Sequence, residues 1–399
     1  MLKRTALRKT ALLAGSGLML WVGAVLIMPQ PSGAAQKSSY TIGVDADFSG
    51  PFAFYGTVLK QAWGAVFGQV NRAGGISGHP VKVIYLDNTS VPTTIVADAK
   101  ELLGDNALMV RSDPDSDSCS NIYPLTKAAN VPLMCEAVAL AQLAPPLGGM
   151  YSTDASESMY IPSVYKDITH RTNSHPKIAE MIVDVVGETG WANSMTKVAA
   201  ANGGKVVTDQ LIPVTNLTNI TSQTAAVLAS NPDAVLTEVP PATTISFVNA
   251  LRQGGFKGPI YGLTPDYGSM VALKDPAFFQ TWAGTPVQSA SGGSGAATYI
   301  KSLAAVGVKG VTNINSGTMS QDYLSAQVIV AALKTCGNKC TASSFNAALT
   351  KTTVNLPGVT LPTGYGYSSS RHQPLSKFGL YAWSSSKKTV VQSSLLPVS

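Results

Sequence analysis

Residues 42–56 read IGVDADFSGPFAFYG, residues 71–80 read NRAGGISGHP, and residues 81–88 read VKVIYLDN. A β-rich run at Ile42 and Val44 meets a Ser-Gly-Pro turn. An apolar run of helix length follows and closes on Gly74-Gly75, and Val81, Val83 and Ile84 begin a second β-rich run. Parallel strands need a crossover of about a dozen residues or more, so the stretch predicts a βαβ unit. The turn after its first strand lies at the carboxyl end of the sheet, where open α/β folds bind ligands. One stretch therefore predicts both a fold class and a place for a site.

The rest of the chain extends that pattern. Its 399 residues can bury more than one core. Helical spacing at 91–104 precedes a strand at 108–110, a polar loop at 112–118, a helix through Ile122 and Leu125, and a buried strand at 130–135. After a less regular span, with a short helix expected at 160–168, a strand at 178–186 leads through Gly187-Glu188-Thr189-Gly190-Trp191 into a helix ending near 202. Strands are expected at 205–207, 233–236, 259–262 and 282–288, and helices at 221–230 and 243–253. Helix, Gly-Gly, strand recurs at 71–84, 202–207 and 253–261, as crossover helices with glycine C-caps require. A Ser/Gly-rich linker at 289–297 leads to helices at 296–306 and 321–334, and β-like runs at 378–383 and 389–391 end the chain.

Composition narrows the function classes. Apolar residues make up 45% and charged residues 13%, which suits a folded chain and argues against wholesale disorder. The net charge of +6 is concentrated at Lys3, Arg4, Arg8 and Lys9, and residues 1–35 hold no acid. Without that segment 24 basic and 22 acidic residues remain, a net of +2, with no basic cluster interleaved with aromatics. Nucleic acid is not expected as a partner. The segment itself has a basic start, an apolar run at 11–27, and small residues Ser32-Gly33-Ala34-Ala35. It is read as a signal peptide cleaved near Ala35; the alternative, an uncleaved anchor, would rest on 17 apolar residues, the lower limit for spanning.

Four cysteines in an exported chain favour two disulfides, and the sequence alone permits three connectivities. Cys336 and Cys340 are close neighbours at an expected helix end and are paired on that ground, leaving Cys119 with Cys135. A zinc site is the alternative, but one close cysteine pair and scattered histidines do not match its ligand spacing.

Templates for catalysis fail. The chain has no G-x-S-x-G elbow, no P-loop and no H-E-x-x-H, so no catalytic residues and no cofactor are assigned. Asp113-x-Asp115-x-Asp117 imitates the start of a calcium loop, yet its sixth and twelfth positions are Ser118 and Pro124 instead of Gly and Glu. Helix N-capping is the preferred reading of those acids, and no metal is expected. Asn88, Asn216 and Asn219 lie in sequons that matter only in a eukaryotic secretory route, and are expected to be unmodified.

The motifs SGP, an aromatic followed by glycine, and N-x-x-GGI-x-G, in this order and spacing, resemble the opening of type I periplasmic solute-binding proteins. The similarity is to the leucine/isoleucine/valine-binding branch, the branched-chain amino acid ABC transporter family, and continues more weakly along the chain. It implies an α/β fold of two doubly wound Rossmann-like domains joined by a three-crossover hinge. Residues 36–151 and 290–356 would form domain I, and residues 152–289 and 357–399 domain II. The implied function is capture of a small organic molecule (an amino acid, an amide, or a small or aromatic acid) in the cleft between them. Delivery would be to the membrane permease of an ABC importer, by a periplasmic or extracytoplasmic monomer. A ligand-sensing module of the same fold is the alternative; an exported hydrolase would need a nucleophile–base pair that the sequence lacks.

Carried over position by position, the resemblance places a pocket aromatic at Tyr55, and Asp115 and Ser116 where a Ser-Ser pair would meet a ligand carboxylate. Glu136, Ala137 and Ala139 stand where head-group hydroxyls are expected. In domain II, Trp191 keeps an expected aromatic, Glu238 precedes Pro240 where another aromatic belongs, and Thr264 replaces an acid, with Asp266 two residues on. Tyr323 matches a further aromatic. An ammonium buried without a partner is costly, so either Asp266, Glu238 or Glu136 takes over the role of the displaced acid, or the ligand has no amino-acid head group; the missing hydroxyls favour the second.

Overall fold

The computed structural model describes residues 37–399 except 51, 114–115, 137–142, 144, 185, 264, 286–293, 316–318 and 399. The signal-peptide reading therefore concerns residues outside those described. Strands β1 (Tyr40–Ala46), β2 (Val81–Asp87), β3 (Val110–Asp113), β4 (Leu133–Cys135) and β5 (Met150–Ser152) form a sheet in the order β2-β1-β3-β4-β5. Every pairing in it is parallel. Parallel sheets are covered on both faces, and this one is no exception. Tyr40, Ile42, Val44 and Met134 pack on one side with α1 (Ala53–Arg72), and Val110, Leu133 and Cys135 pack on the other with α2 (Pro92–Gly104) and α3 (Ser116–Ala128).

Helix α1 stops where the sequence says it must. Gly74 and Gly75 take φ of 94° and 79°, and a Cβ on Gly75 would lie 2.3 Å from the His79 carbonyl oxygen. Only glycine tolerates both conditions, so the chain turns sharply and β2 begins at Val81.

After β5 the chain enters a second α/β layer. Helices α4 (Glu157–Arg171), α5 (Val186–Ala201), α6 (Thr221–Ala229), α7 (Pro241–Gln253) and α8 (Tyr267–Leu273) surround strands β6 (Lys177–Val183), β7 (Lys205–Ile212), β8 (Ala234–Glu238), β9 (Ile260–Gly262) and β10 (Phe278–Trp282). The strand expected at 282–288 thus lies earlier. Phe278 and Trp282 point into one cluster and Phe279 into the other, a period of two that ends at Trp282, and residues 286–290 fall outside the described set.

The chain next returns to the first core. It contributes α9 (Ser294–Ala304), the short α10 (Val311–Ile314), α11 (Met319–Cys336), α12 (Ala342–Leu349) and a small ribbon of β11 (Thr353–Val354) with β12 (Tyr365–Gly366). Helix α11 is buried along most of its length and packs on α1. Val359, Tyr365, Tyr367 and Leu375 also belong to the first core. Strands β13 (Lys377–Ser384) and β14 (Thr389–Pro397) form an antiparallel hairpin on the edge of the second sheet, whose order is β14-β13-β10-β9-β8-β6-β7.

The fold is two doubly wound α/β domains linked by three crossings, and the crossings are tied together. Tyr367 Oη donates to Ser152 O at 2.9 Å, Tyr365 Oη to Thr153 O at 2.5 Å, and Ser152 N to His372 O at 2.9 Å. Thr285 N donates to Val359 O at 2.9 Å, beside a bridge between Gly284 and Thr360. Each such bond contributes about 1 kcal/mol net, so the set fixes the hinge without freezing it. Both expected disulfides are present: Cys119–Cys135 with Cα atoms 6.2 Å apart, and Cys336–Cys340 with 5.2 Å. Among the described residues no helix is long and apolar enough to cross a membrane, and no three His, Cys, Asp or Glu side chains group as a metal site.

Candidate functional site

The turn between β1 and α1 leaves the carboxyl edge of the first sheet and reaches the second domain. Phe52, 7% exposed, packs within an apolar cluster of the second sheet that includes Met181, Val239, Tyr267 and Trp282. Half-buried Tyr55 packs against the same cluster, with its ring 6.2 Å from that of Phe52. A tight backbone makes this possible: a Cβ on Gly56 would sit 2.1 Å from the Asp47 carbonyl oxygen. The aromatic-glycine pair of the sequence motif therefore has a mechanical meaning. The glycine lets the turn fold onto β1, and the aromatic reaches the apolar cluster of the second sheet.

Two aspartates hold the base of that turn. Asp47 accepts from Ser90 N at 2.6 Å and Ser90 Oγ at 2.8 Å. Asp87 accepts from Phe48 N at 2.9 Å, Ser49 N at 3.3 Å, Thr89 N at 3.3 Å and Ser49 Oγ at 2.8 Å. Burial works against the Asp87 charge, but these four bonds outweigh it and hold its carboxyl below the usual range.

Deeper in the first domain lies a buried charge node. Arg111, on β3, is fully buried; its Nη2 lies 3.1 Å from Asp322 Oδ1 and 3.6 Å from Glu136 Oε2, and its Nη1 also donates to the Ser112 carbonyl. One cation thus joins β3, helix α11 and the segment after β4. Removing one partner from such a cluster is expected to cost several kcal/mol, because it strands a buried charge. Nearby, burial and then the charge of Asp322 push the Tyr85 hydroxyl up.

The positions singled out in the sequence divide as follows. Glu136 joins the Arg111 node and is 9% exposed. Ser116 opens α3, three residues before the cysteine that bonds Cys135. Asp115, Ala137, Ala139 and Thr264 lie outside the described residues. Glu238 ends β8 half-buried, and Pro240 stands at the N-cap of α7. Asp266 is the N-cap of α8: its carboxylate accepts from Gly268 N at 3.2 Å, from Ser269 N at 2.8 Å and from Ser269 Oγ. Trp191, on α5, is fully buried in the cluster with Tyr160 of α4 and Met195. Tyr323, 1% exposed, lies in the first core with its ring 4.7 Å from Tyr299 and its oxygen accepting from Ser302 Oγ at 3.2 Å. Trp191, Tyr323 and Tyr55 therefore occupy three different clusters.

Sequence reasoning missed Phe52, Arg111 and the paired aspartates. Arg111 was the detectable one, a lone cation inside the apolar run Leu108-Met109-Val110-Arg111, which burial forces to find a partner. Asn88 is also buried, and its Nδ2 donates to Asp45 Oδ2 at 2.9 Å, so the first sequon is tied into the fold.

The family model described as periplasmic binding protein matches residues 39–388, nearly the whole described chain. The chain belongs to the periplasmic binding protein family. Among curated relatives, Leu/Ile/Val-binding protein homolog 3 of Brucella melitensis biotype 1 is 32% identical over 77 residues, 19% of this chain and 21% of that protein. The matched segment thus spans about a fifth of the relative's length. Among solved structures, a branched-chain amino acid ABC transporter protein from Thermus thermophilus with bound valine has a TM-score of 0.80 at 14% identity, covering 91% of this chain and 97% of that one. A fatty acid ABC transporter substrate-binding protein from Thermomonospora curvata gives 0.77 at 18% identity, over 91% and 93%. A solute-binding protein from R. palustris in complex with 4-hydroxybenzoate gives 0.71 at 17% identity, over 89% and 95%. At these identities the likeness to solved periplasmic binding proteins is one of fold.

Proposed function

We propose that this chain is the exported solute-binding subunit of an ABC importer, one that closes on a small organic acid or amide and hands it to a membrane permease. The carrying observation is the turn after β1, whose Phe52 and Tyr55 pack into the apolar cluster of the other domain. A cleft-spanning contact of this kind, between domains on a three-crossing hinge, is what capture by closure requires. In this reading the first domain ends near residue 151 and resumes at 290, and the second resumes at Lys377 rather than at 357, because Val359, Tyr365, Tyr367 and Leu375 pack with the first core.

Two of the three acids that could meet a ligand ammonium are already engaged, which supports a ligand without one. Asp266 is occupied by the N-terminus of its own helix, and Glu136 faces Arg111. A carboxylate or amide bearing an apolar or aromatic body suits Tyr55 and Phe52 better. Solved proteins of this fold hold valine in one case and 4-hydroxybenzoate in another, so the fold accommodates either chemistry.

A thermal-shift screen of the mature protein tests both levels. Benzoate, 4-hydroxybenzoate and octanoate represent acids without an ammonium; leucine and valine represent the amino acids. A true ligand at about a hundred times its Kd adds roughly 2.7 kcal/mol, a shift of a few degrees. Stabilisation by an acid supports the reading, and stronger stabilisation by leucine overturns the ligand class. Chemical turnover of the bound compound overturns the binding-protein reading itself.

A further inference from the structure

We propose that Asp87 and Asp47 form a two-way clamp that holds the turn carrying Phe52 and Tyr55 in its closing position, so that these aspartates are positioning residues for domain closure. The inference rests on the closure reading above and needs no particular ligand.

The geometry is reciprocal. Asp47, at the root of the first loop, binds the backbone and hydroxyl of Ser90 in the second loop. Asp87, at the root of the second loop, binds the backbone of Phe48 and the backbone and hydroxyl of Ser49 in the first. Each loop thus supplies one carboxylate and one serine. A second, independent observation is backbone strain: Thr89 and Ser90 are consecutive non-glycine residues with φ of 52° and 59°. Left-handed conformation is disfavoured for any residue with a Cβ, and most for a β-branched one. Such strain persists only where its surroundings over-determine it, and the bonds from Thr89 N to Asp87 and from Ser90 N to Asp47 do so.

The clamp sits at one end of a short lever. Asp87 is exposed at the end of β2, so it is not required to fill the interior. Three residues beyond Ser49 the chain reaches Phe52, which is buried in the other domain. A turn released at its root loses the aim of that ring, and the second domain loses a packing partner.

Hydrogen exchange of the unliganded full chain tests this with Asp87→Ala, Asp87→Asn and Ser49→Ala/Ser90→Ala. Asp87→Ala is expected to speed exchange in residues 46–58 and in α7 and α8 of the other domain by on the order of tenfold, because opening exposes both sides. Asp87→Asn keeps an acceptor for the backbone amides and should restore most of the protection; the double serine variant should fall between. Faster exchange confined to the first domain, or no change in α7 and α8, overturns the proposal and leaves the clamp a local turn device. Since no ligand is added, failure of the ligand screen and failure of the clamp are separate results.

Discussion

Replacing Glu180 by glutamine should stabilise the protein, increasingly so as pH rises. Glu180 sits in β6 between Asp209 of β7 and Leu236 of β8, is fully buried, and shares a face with Ile178 and Ile182 of an apolar cluster. Neither carboxyl oxygen has a hydrogen-bond partner among the described residues. Burial, and then the charge of Asp209, push its pKa from an ordinary 4.5 up to about 9. The folded protein therefore keeps the proton while the unfolded chain loses it above pH 4.5. Stability is undiminished below pH 4.5 and falls as pH rises toward 9, because the unfolded state gains an ionisation that the folded state forgoes. At about 1.36 kcal/mol per pH unit, the penalty reaches about 3 kcal/mol at pH 7 and grows by about 4 kcal/mol between pH 5 and pH 8. Glutamine has nearly the same shape and cannot ionise. Urea unfolding of both proteins at pH 5, 6.5 and 8 reads the difference directly. The gap between the curves should be small at pH 5 and several kcal/mol at pH 8; a constant gap refutes the argument.

Other perturbations probe the first sheet and the second core. Asp45 is fully buried, and burial, offset in part by the Asn88 bond and raised again by Asp98, pushes its pKa up to about 8. Asp98→Asn should therefore reduce the loss of stability as pH rises from about 4 to 8, in the same urea series. Trp191→Ala should lower unfolding stability by about 3–5 kcal/mol, the cost of emptying a fully buried aromatic site, whatever it does to binding. Trp191→Phe should cost well under half of that in the same titration, since the indole N–H has no partner among the described residues to lose.

What was legible in the sequence was local. The βαβ opening, the Gly-Gly stops and most helices of both domains follow from period and backbone freedom within a few residues. The same holds for Cys336–Cys340, whose partners are 4 residues apart. The family motif was legible for that reason too, because Gly56 answers to a carbonyl only nine positions earlier.

The site was less legible because its contacts are long-range. Arg111 meets Asp322 across 211 residues, and no local pattern announces that pairing. Asp266 looked like a ligand acid until α8 formed behind it and took its carboxylate as a cap. The resemblance assigns Trp191 to an expected aromatic of the site, whereas the packing of α5 on α4 places it in a core. The amino-acid sequence by itself determined the fold and the tight turn after β1, since periodicity and glycine placement act over short distances. Only the tertiary structure decided which acids are already engaged, which aromatics are core, and that Phe52 lies in the other domain, because burial and charge pairing are settled between segments that meet only when the chain is folded.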